Sequence, residues 1–122
     1  MVSFSTRAKV PYILKPDGSK FFGDDYEFVI GKDETIVEGT AGYIVTFGDM
    51  LYRSYDAVLR LRQEGIDVGL INKSTLNIID EETTKKIGSS PFVLVTETLN
   101  QKTGVRPDRR PLACRRLTFN CF

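Results

Sequence analysis

Two apolar runs of five residues limit most strongly what this chain can fold into. Residues 43–47 read YIVTF and residues 92–96 read FVLVT, and both are rich in β-branched and aromatic side chains. Because neither run alternates with polar residues, each predicts a strand covered on both faces, as in a parallel sheet. A helical pattern at 50–63, a strand at 66–71 and a short helix at 81–87 lie between them. This β-α-β-α-β order predicts an α/β fold with three α/β/α layers and a mainly parallel central sheet.

The residues that flank the two helices predict where each begins and ends. Asp49 and Asp80 are the expected N-caps, because an aspartate at that position accepts hydrogen bonds from the first helical amides. Gly65 follows the first helix at the position where a left-handed residue usually ends it. Two shorter strands are predicted at 27–30 and 35–38, separated by a turn that contains glycine.

The apolar positions of these elements predict the core of the domain. Helical spacing places the large apolar residues of the first helix on one stripe, which should cover one face of the sheet. The expected buried residues are Ile44, Val45, Leu70, Val93 and Val95 in the strands, with Leu51, Tyr55 and Val58 on the helix.

The chain divides into three parts by its sequence pattern. Residues 1–25 show no sustained period and are interpreted as an N-terminal arm or interdomain linker rather than a core element. Residues 26–101 contain the α/β pattern. Residues 102–122 form a basic, atypical tail that is broken by prolines and holds both cysteines of the chain.

The absence of histidine excludes several kinds of active site. Ser-His-Asp and Cys-His catalysis need an imidazole, and this chain of 122 residues has none. Cys114 and Cys121 lie too close to the end to form a disulfide framework, and a zinc site would lack nitrogen ligands. No apolar run is long enough to cross a membrane, and no secretion signal is recognised at the start, so we expect a cytoplasmic location.

Charge is distributed unevenly along the chain. Residues 1–101 carry 11 Lys and Arg against 15 Asp and Glu, a net charge of −4. Residues 102–122 carry six Lys and Arg against one Asp, a net charge of +5. Clustered arginines can follow a phosphate backbone, but the tail lacks the signature of an RNA-binding module, so binding of nucleic acid is not the favoured interpretation.

Two places in the predicted sheet could hold functional groups. Gly48 and Asp49 stand between a strand and a helix, where anions often bind helix amides, but Asp49 would repel a phosphate and favours a plain N-cap. Glu97 follows the last strand, at the edge where α/β sites usually lie. A single carboxylate at that edge favours a structural or interface role over a catalytic one.

Several short motifs resemble those of one known family in their order and spacing. They occur in strands, helices and loops across residues 9–101, and together they look like the C-terminal domain of the transketolase family. That family includes transketolase, deoxyxylulose-phosphate synthase and the beta subunit of the first component of pyruvate dehydrogenase. The motifs are YIVTFGDM at 43–50, DAVL at 56–59, EGIDV at 64–68, LIN at 70–72, STL at 74–76, DEET at 80–83 and VLVTE at 93–97.

The resemblance implies a role without chemistry of its own for this chain. In the family, other domains hold thiamine diphosphate and its divalent metal, and no motif for that cofactor is recognised here. We therefore expect no catalytic, cofactor-binding or metal-binding residue, and a fragment of a thiamine-diphosphate-dependent transferase that contributes to dimer assembly and domain packing. After Gly104 the chain departs from the family's glycine-rich continuation.

The resemblance also implies partners, either a second copy of the chain or the missing domains of a parent enzyme. A symmetric dimer is expected through a sheet edge or the strand near Glu97, with Phe21, Phe22 and Tyr26 left uncovered by the chain itself. Two alternatives stay open. The arm at 1–25 could fold back onto its own sheet, and the chain could instead be a small interaction module that binds an anionic ligand or nucleic acid through its tail.

Overall fold

The computed structural model describes residues 9–97. Within them four strands form one mixed sheet, and two helices pack on its faces. The strands lie in the order β1-β3-β2-β4, with β2 parallel to both β3 and β4 and β1 antiparallel to β3. In chain order the elements are β1 (Glu34–Val37), β2 (Gly42–Thr46), α1 (Met50–Gln63), β3 (Val68–Asn72), α2 (Glu81–Gly88) and β4 (Val93–Thr96).

The strand order explains why the two helices cover opposite faces. The chain moves from β2 to β3 in one direction and returns past β2 to reach β4, and right-handed crossovers then place α1 and α2 on different sides. On the first face Ile44 and Leu70 pack beneath α1; on the second face Val45 and Ile71 pack with Ile87 of α2. The predicted α/β fold with a mainly parallel sheet is confirmed.

The predicted core is confirmed, with one residue less buried than the rest. Seven of the eight expected residues are at most 8% exposed. Tyr55 is half-buried, and its hydroxyl donates a hydrogen bond of 2.9 Å to the carbonyl of Leu14. Tyr55 therefore connects α1 to the segment that precedes the sheet.

Most of the predicted boundaries agree with the structure; one predicted strand is wrong, and one predicted cap lacks its hydrogen bond. Asp80 caps α2, and Gly65 has a φ of +87° after α1, as expected. Asp49 directly precedes α1, as predicted, but its side chain makes no cap hydrogen bond, because its own backbone is already helical (φ −64°, ψ −27°). Residues 27–30 form no strand: Gly31 turns the chain at a φ of +84°, and the residues before it are exposed without a neighbouring strand.

The interpretation of the arm as a segment outside the core is wrong for part of its length. Ile13 is only 3% exposed and belongs to the core cluster beneath α1, and Phe21 and Phe22 pack against the same cluster. The Phe21 amide donates to the Ile13 carbonyl at 2.8 Å, which closes the turn between them. The alternative in which the arm folds back onto its own domain describes the structure better. Physically, Ile13 supplies apolar cover that α1 alone does not provide.

The aromatic residues of the arm cover one another rather than standing free. The ring centroids of Phe21 and Phe22 are 5.0 Å apart, and those of Phe22 and Tyr26 are 4.9 Å apart, both edge to face. All three side chains are half-buried, so the expectation that they are uncovered is also wrong. Residues 102–122, the predicted tail, lie outside the described residues, and within 9–97 no helix is long and apolar enough to cross a bilayer.

Candidate functional site

Polar side chains gather at the edge of the sheet where the parallel strands end. Asp33 directly precedes the antiparallel strand β1, Lys73 directly follows β3, and Asp80 stands at the start of α2. Because β1 is antiparallel, its first residue lies at the same edge as the last residue of β3. We call this group, together with Glu34, the carboxyl-edge cluster.

The centre of the carboxyl-edge cluster is a buried ion pair. The Nζ atom of Lys73 lies 3.1 Å and 3.2 Å from the two carboxylate oxygens of Asp33, and it also donates to the carbonyl of Ile78 at 3.0 Å. The side chain of Lys73 is 13% exposed and that of Asp33 is 6% exposed. Burial raises the pKa of Asp33, and the nearby charge and hydrogen bonds of Lys73 offset only part of that increase.

Asp80 ties the same edge to α2. One oxygen accepts the backbone amide of Asp33 at 3.0 Å, and the carboxylate also accepts the amides of Glu82 and Thr83. Burial would raise the pKa of Asp80, but these hydrogen bonds and the charge of Lys32 outweigh it, so the pKa is lowered. Asp80 therefore stays ionised and acts both as helix cap and as anchor for the turn before β1.

The carboxylate of Glu34 accepts three hydrogen bonds from side chains on separate segments. The donors are the hydroxyls of Tyr26 and Ser74, and the Nδ2 atom of Asn72 at 2.6 Å. Partial burial and the contact with Glu34 raise the pKa of Tyr26 to about 12. The result is a hydrogen-bonded connection from the end of the arm to the end of β3.

Three hydroxyl-bearing side chains are buried between α1 and the sheet near the same edge. Ser54 and Thr96 form a hydrogen bond of 2.9 Å between their hydroxyls, and the Thr46 hydroxyl donates to the Thr96 carbonyl at 3.0 Å. All three residues are at most 6% exposed. Since each hydroxyl has a partner inside the protein, the group orients α1 on the ends of β2 and β4.

The two sheet positions singled out from sequence lie at the same edge of the sheet as the carboxyl-edge cluster, on the strands β2 and β4. Gly48 and Asp49 are both exposed and form the turn into α1, which the Leu51 amide closes on the Gly48 carbonyl at 3.1 Å. Glu97 lies at the expected end of β4 and is half-buried. Because β2 separates β4 from β3, strand spacing alone places Glu97 about 10 Å from Lys73 across the sheet. The basic tail lies outside the described residues.

Sequence reasoning missed Asp33, Glu34 and Lys73 as a group. The sequence feature that could have identified them is their position, since all three stand where a strand begins or ends at the carboxyl edge. That signal needs the antiparallel direction of β1, which the sequence pattern did not predict. Only Asp80 was recognised, because a helix cap depends on residues within one turn.

The polar groups of the carboxyl-edge cluster are already engaged by one another and by neighbouring residues. Lys73 has three hydrogen atoms to donate and three acceptors within 3.2 Å, so it presents no free amine as a nucleophile or base. Within residues 9–97 no buried side-chain nitrogen or oxygen lacks a partner. The same residues contain no group of three or more Asp, Glu, Cys or His side chains that could hold a metal ion.

A shallow open depression of about 200 Å³ lies between the arm and α1. The Nζ atom of Lys20 sits 4.1 Å from the centre of the Tyr12 ring at its side, a cation–π contact. The depression is mostly apolar and is lined by Val10, Pro11, Tyr12, Ile13, Lys20, Phe22 and Tyr52. It offers surface for packing rather than an enclosed site.

Comparison with known proteins finds a matching family model and several relatives. The family model "Transketolase, C-terminal domain" matches residues 31–106. An apulose-4-phosphate transketolase chain of Phocaeicola vulgatus is 31% identical over 98 residues, which is 80% of this chain and 29% of that protein. The beta chain of the pyruvate dehydrogenase E1 component of Acholeplasma laidlawii is 37% identical over 78 residues, 61% of this chain and 23% of that protein. The chain thus spans less than a third of the length of these two curated relatives.

Solved structures give the same fold. A split-gene transketolase, described as an inactive beta4 tetramer, superposes with a TM-score of 0.67 at 25% identity, over 81% of this chain and 31% of its own. A 2-oxoglutarate:ferredoxin oxidoreductase from Magnetococcus marinus superposes with a TM-score of 0.59 at 19% identity, over 93% of this chain and 23% of its own, and shows the fold alone.

The matched range covers every element that builds the carboxyl-edge cluster. It begins at Gly31, includes both helices and all four described strands, and spans more than half of the chain. The resemblance inferred from short motifs is therefore confirmed by an independent match that contains every one of the motifs at 43–97. This chain belongs to the transketolase C-terminal domain family.

Proposed function

We propose that this chain acts as the C-terminal domain of a transketolase-like, thiamine-diphosphate-dependent transferase, packs against the other domains of that enzyme and supports its dimer, and does not catalyse alone. Family membership supports the domain assignment. The match to this chain covers only 29% and 23% of the length of two relatives, so those proteins contain further sequence outside the matched domain. A cytoplasmic location is part of this proposal.

The engagement of the carboxyl-edge cluster is the observation that carries the non-catalytic role. Thiamine diphosphate carries a diphosphate that is bound together with a divalent cation, which prefers several oxygen ligands. Asp33, Glu34 and Asp80 already engage Lys73, Tyr26 and backbone amides, and Asp49 at the start of α1 would repel a phosphate. The residues at 9–97 therefore do not fit the cofactor, and we assign its binding to the rest of the enzyme.

The arm supplies the surface that we assign to domain packing. Tyr12 is 70% exposed, and Val10 and Leu14 are each 44% exposed beside the shallow depression. These side chains precede the sheet in sequence. In an enzyme that has a domain before this one, they are therefore the residues nearest to it along the chain. Covering them would remove apolar surface from water at the point where the domains join.

The edge strand β4 supplies the surface that we assign to the dimer. In the described sheet β4 pairs only with β2, so its other edge can accept a strand from a second copy. Val93 and Val95 pack on one side of the sheet, and Leu94 on the other side packs against the cluster beneath α1, so the backbone edge of β4 is what remains for a second copy. The split-gene transketolase is described as a tetramer, which is consistent with self-association in a protein of this fold.

The proposal is tested with the purified chain by calorimetry and sedimentation. We expect no saturable heat on titration with thiamine diphosphate and Mg²⁺, no ketol transfer, and a concentration-dependent dimer in sedimentation equilibrium. Phe92→Lys, directly before β4 and 37% exposed, should weaken the dimer, whereas Leu59→Lys, 41% exposed on α1, should leave it unchanged. Tight cofactor binding or turnover by the chain would overturn the non-catalytic role, and a strict monomer would overturn the dimer.

The alternative function, binding of an anionic ligand or nucleic acid through the tail, rests on the net charge of +5 in residues 102–122. Such binding releases counterions and weakens steeply as salt increases. A polynucleotide titration at two salt concentrations decides between the two functions. The alternative requires salt-dependent binding that disappears when residues 102–122 are removed; the proposed function requires no such binding.

A further inference from the structure

An exposed apolar ridge lies at the carboxyl edge beside the ion pair of Asp33 and Lys73. Two loops form it, and they contact each other: the Gly31 amide donates to the Thr75 hydroxyl at 3.1 Å, and a Cβ atom at Gly31 would stand 3.0 Å from Ile78. We call it the loop ridge. It consists of Phe28, Val29, Ile30, Leu76, Ile78 and Ile79, which are 52%, 50%, 72%, 45%, 41% and 38% exposed.

The loop ridge is bordered by negative charge. The two segments that contain it, 24–32 and 76–82, carry six carboxylates against one lysine, Lys32, a net charge of −5. Lys32 pairs with Asp80 and Glu82, and Lys15 pairs with Asp25. The exposed border that is left to a partner is therefore formed by Asp24, Glu27 and Glu81. A contiguous apolar patch of this kind marks an interaction site, and its acidic border favours a basic occupant. Two copies of the ridge would repel each other.

The chain itself contains a basic occupant that starts from the same edge. Strand β4 is parallel to β2 and β3, so the chain leaves the described body after Glu97 at the carboxyl edge. Strand spacing places β4 about 10 Å from β3, and five residues of extended chain span about 16 Å. Residues 102–122 can therefore reach the loop ridge.

The composition of residues 102–122 complements the loop ridge. They carry a net charge of +5, equal and opposite to that of the ridge segments. Between the arginines stand large apolar residues, Leu112, Leu117, Phe119 and Phe122. Arginines can meet the acidic border while the apolar side chains cover the ridge, which pairs opposite charges around a dry centre.

We propose that residues 102–122 dock on the loop ridge of their own chain. The docked segment withdraws the exposed apolar side chains of two loops from water and neutralises their acidic border. This contact is separate from the surfaces assigned to domain packing and to the dimer, so it stands or falls independently of the proposed function.

The two cysteines provide the test, because Cys114 and Cys121 are the only ones in the chain. A nitroxide spin label on Cys121, in a Cys114→Ser background, should broaden the amide NMR signals of residues 28–32 and 76–82. Ile66 serves as the control signal, since it is also an exposed apolar residue but follows α1 at the opposite edge of the sheet. Broadening that is absent at the ridge, or equal at Ile66, overturns the proposal.

Matched variants test both parts of the contact. Ile30→Ser and the pair Arg109→Glu and Arg110→Glu should each cause loss of the broadening, whereas Ile66→Ser should retain it. Raising the salt should weaken the broadening, because screening acts on exposed charges. A mixture of isotope-labelled chains without nitroxide and spin-labelled chains without isotope should show none. Broadening in that mixture would show that residues 102–122 dock on a second copy, and it would overturn docking within one chain.

Discussion

Lys73 and Asp33 form an ion pair almost withdrawn from solvent, with Nζ 3.1 Å and 3.2 Å from the two carboxylate oxygens. The two residues are 40 positions apart, and their contact fixes the turn before β1 to the end of β3. A charge buried in this way is tolerated only while its partner is present.

Removing one member of this pair should destabilise the domain strongly. Lys73→Met leaves the Asp33 carboxylate buried without its cation, and breaking a buried pair costs about 3–5 kcal/mol. The double variant Lys73→Met with Asp33→Asn should recover most of that loss, since no unpaired charge remains. Urea unfolding measures both. A single variant as stable as the wild type would contradict the buried pair.

Asp80 should contribute stability that depends on pH. Its pKa is lowered in the folded protein, so this contribution is complete above the ordinary value of 3.8 and is lost as pH falls through the lowered value. Asp33 acts in the opposite sense: its raised pKa gives a contribution that is present below 3.8 and lost as pH rises through the raised value.

Asp80→Asn keeps a side-chain oxygen for the helix cap but removes the charge. We expect the wild type to be more stable than this variant at neutral pH, with a difference that shrinks in strong acid. Urea unfolding at a series of pH values measures it, and Asp24→Asn, an exposed carboxylate, is the control for loss of one charge. A difference that stays constant across the series would contradict the lowered pKa.

Ile13 should behave as a core residue although it lies in the arm. It is 3% exposed in the cluster beneath α1, and truncating a buried isoleucine to alanine costs about 2–5 kcal/mol. Tyr12→Ala, beside it but 70% exposed, should change stability by about 0.5 kcal/mol. Deleting residues 1–25 should therefore destabilise the α/β body itself. Equal losses of stability in Ile13→Ala and Tyr12→Ala would contradict a core role for Ile13.

Gly69 should not tolerate a side chain, although it lies in the middle of a strand. A Cβ atom there would stand 2.4 Å from the Tyr43 ring and 2.9 Å from the amide nitrogen of Gly39. Overpacking of this kind costs about 1–3 kcal/mol, so Gly69→Ala should lower the thermal midpoint. Gly88→Ala, with nothing within 4 Å of its Cβ position, should be neutral or slightly stabilising. Two variants of equal stability would mean that the Tyr43 ring can move aside.

The sequence by itself determined the elements whose signals are local. The bounds of α1, the cap at Asp80 and the buried apolar runs each depend on residues within a few positions, where spacing and side-chain type decide the backbone. The order of these elements then predicted the parallel sheet, because a helix between two strands permits few topologies.

Tertiary structure decided the pairings between distant segments. The contact of Lys73 with Asp33 depends on β1 running antiparallel beside β3, and a turn sequence around Gly31 does not encode that direction. Ile13 became core because the arm closes on α1, and Gly69 is required because the Tyr43 ring crosses it. In each case the deciding interaction joins segments that are distant along the chain, and only the folded sheet brings such groups within contact distance.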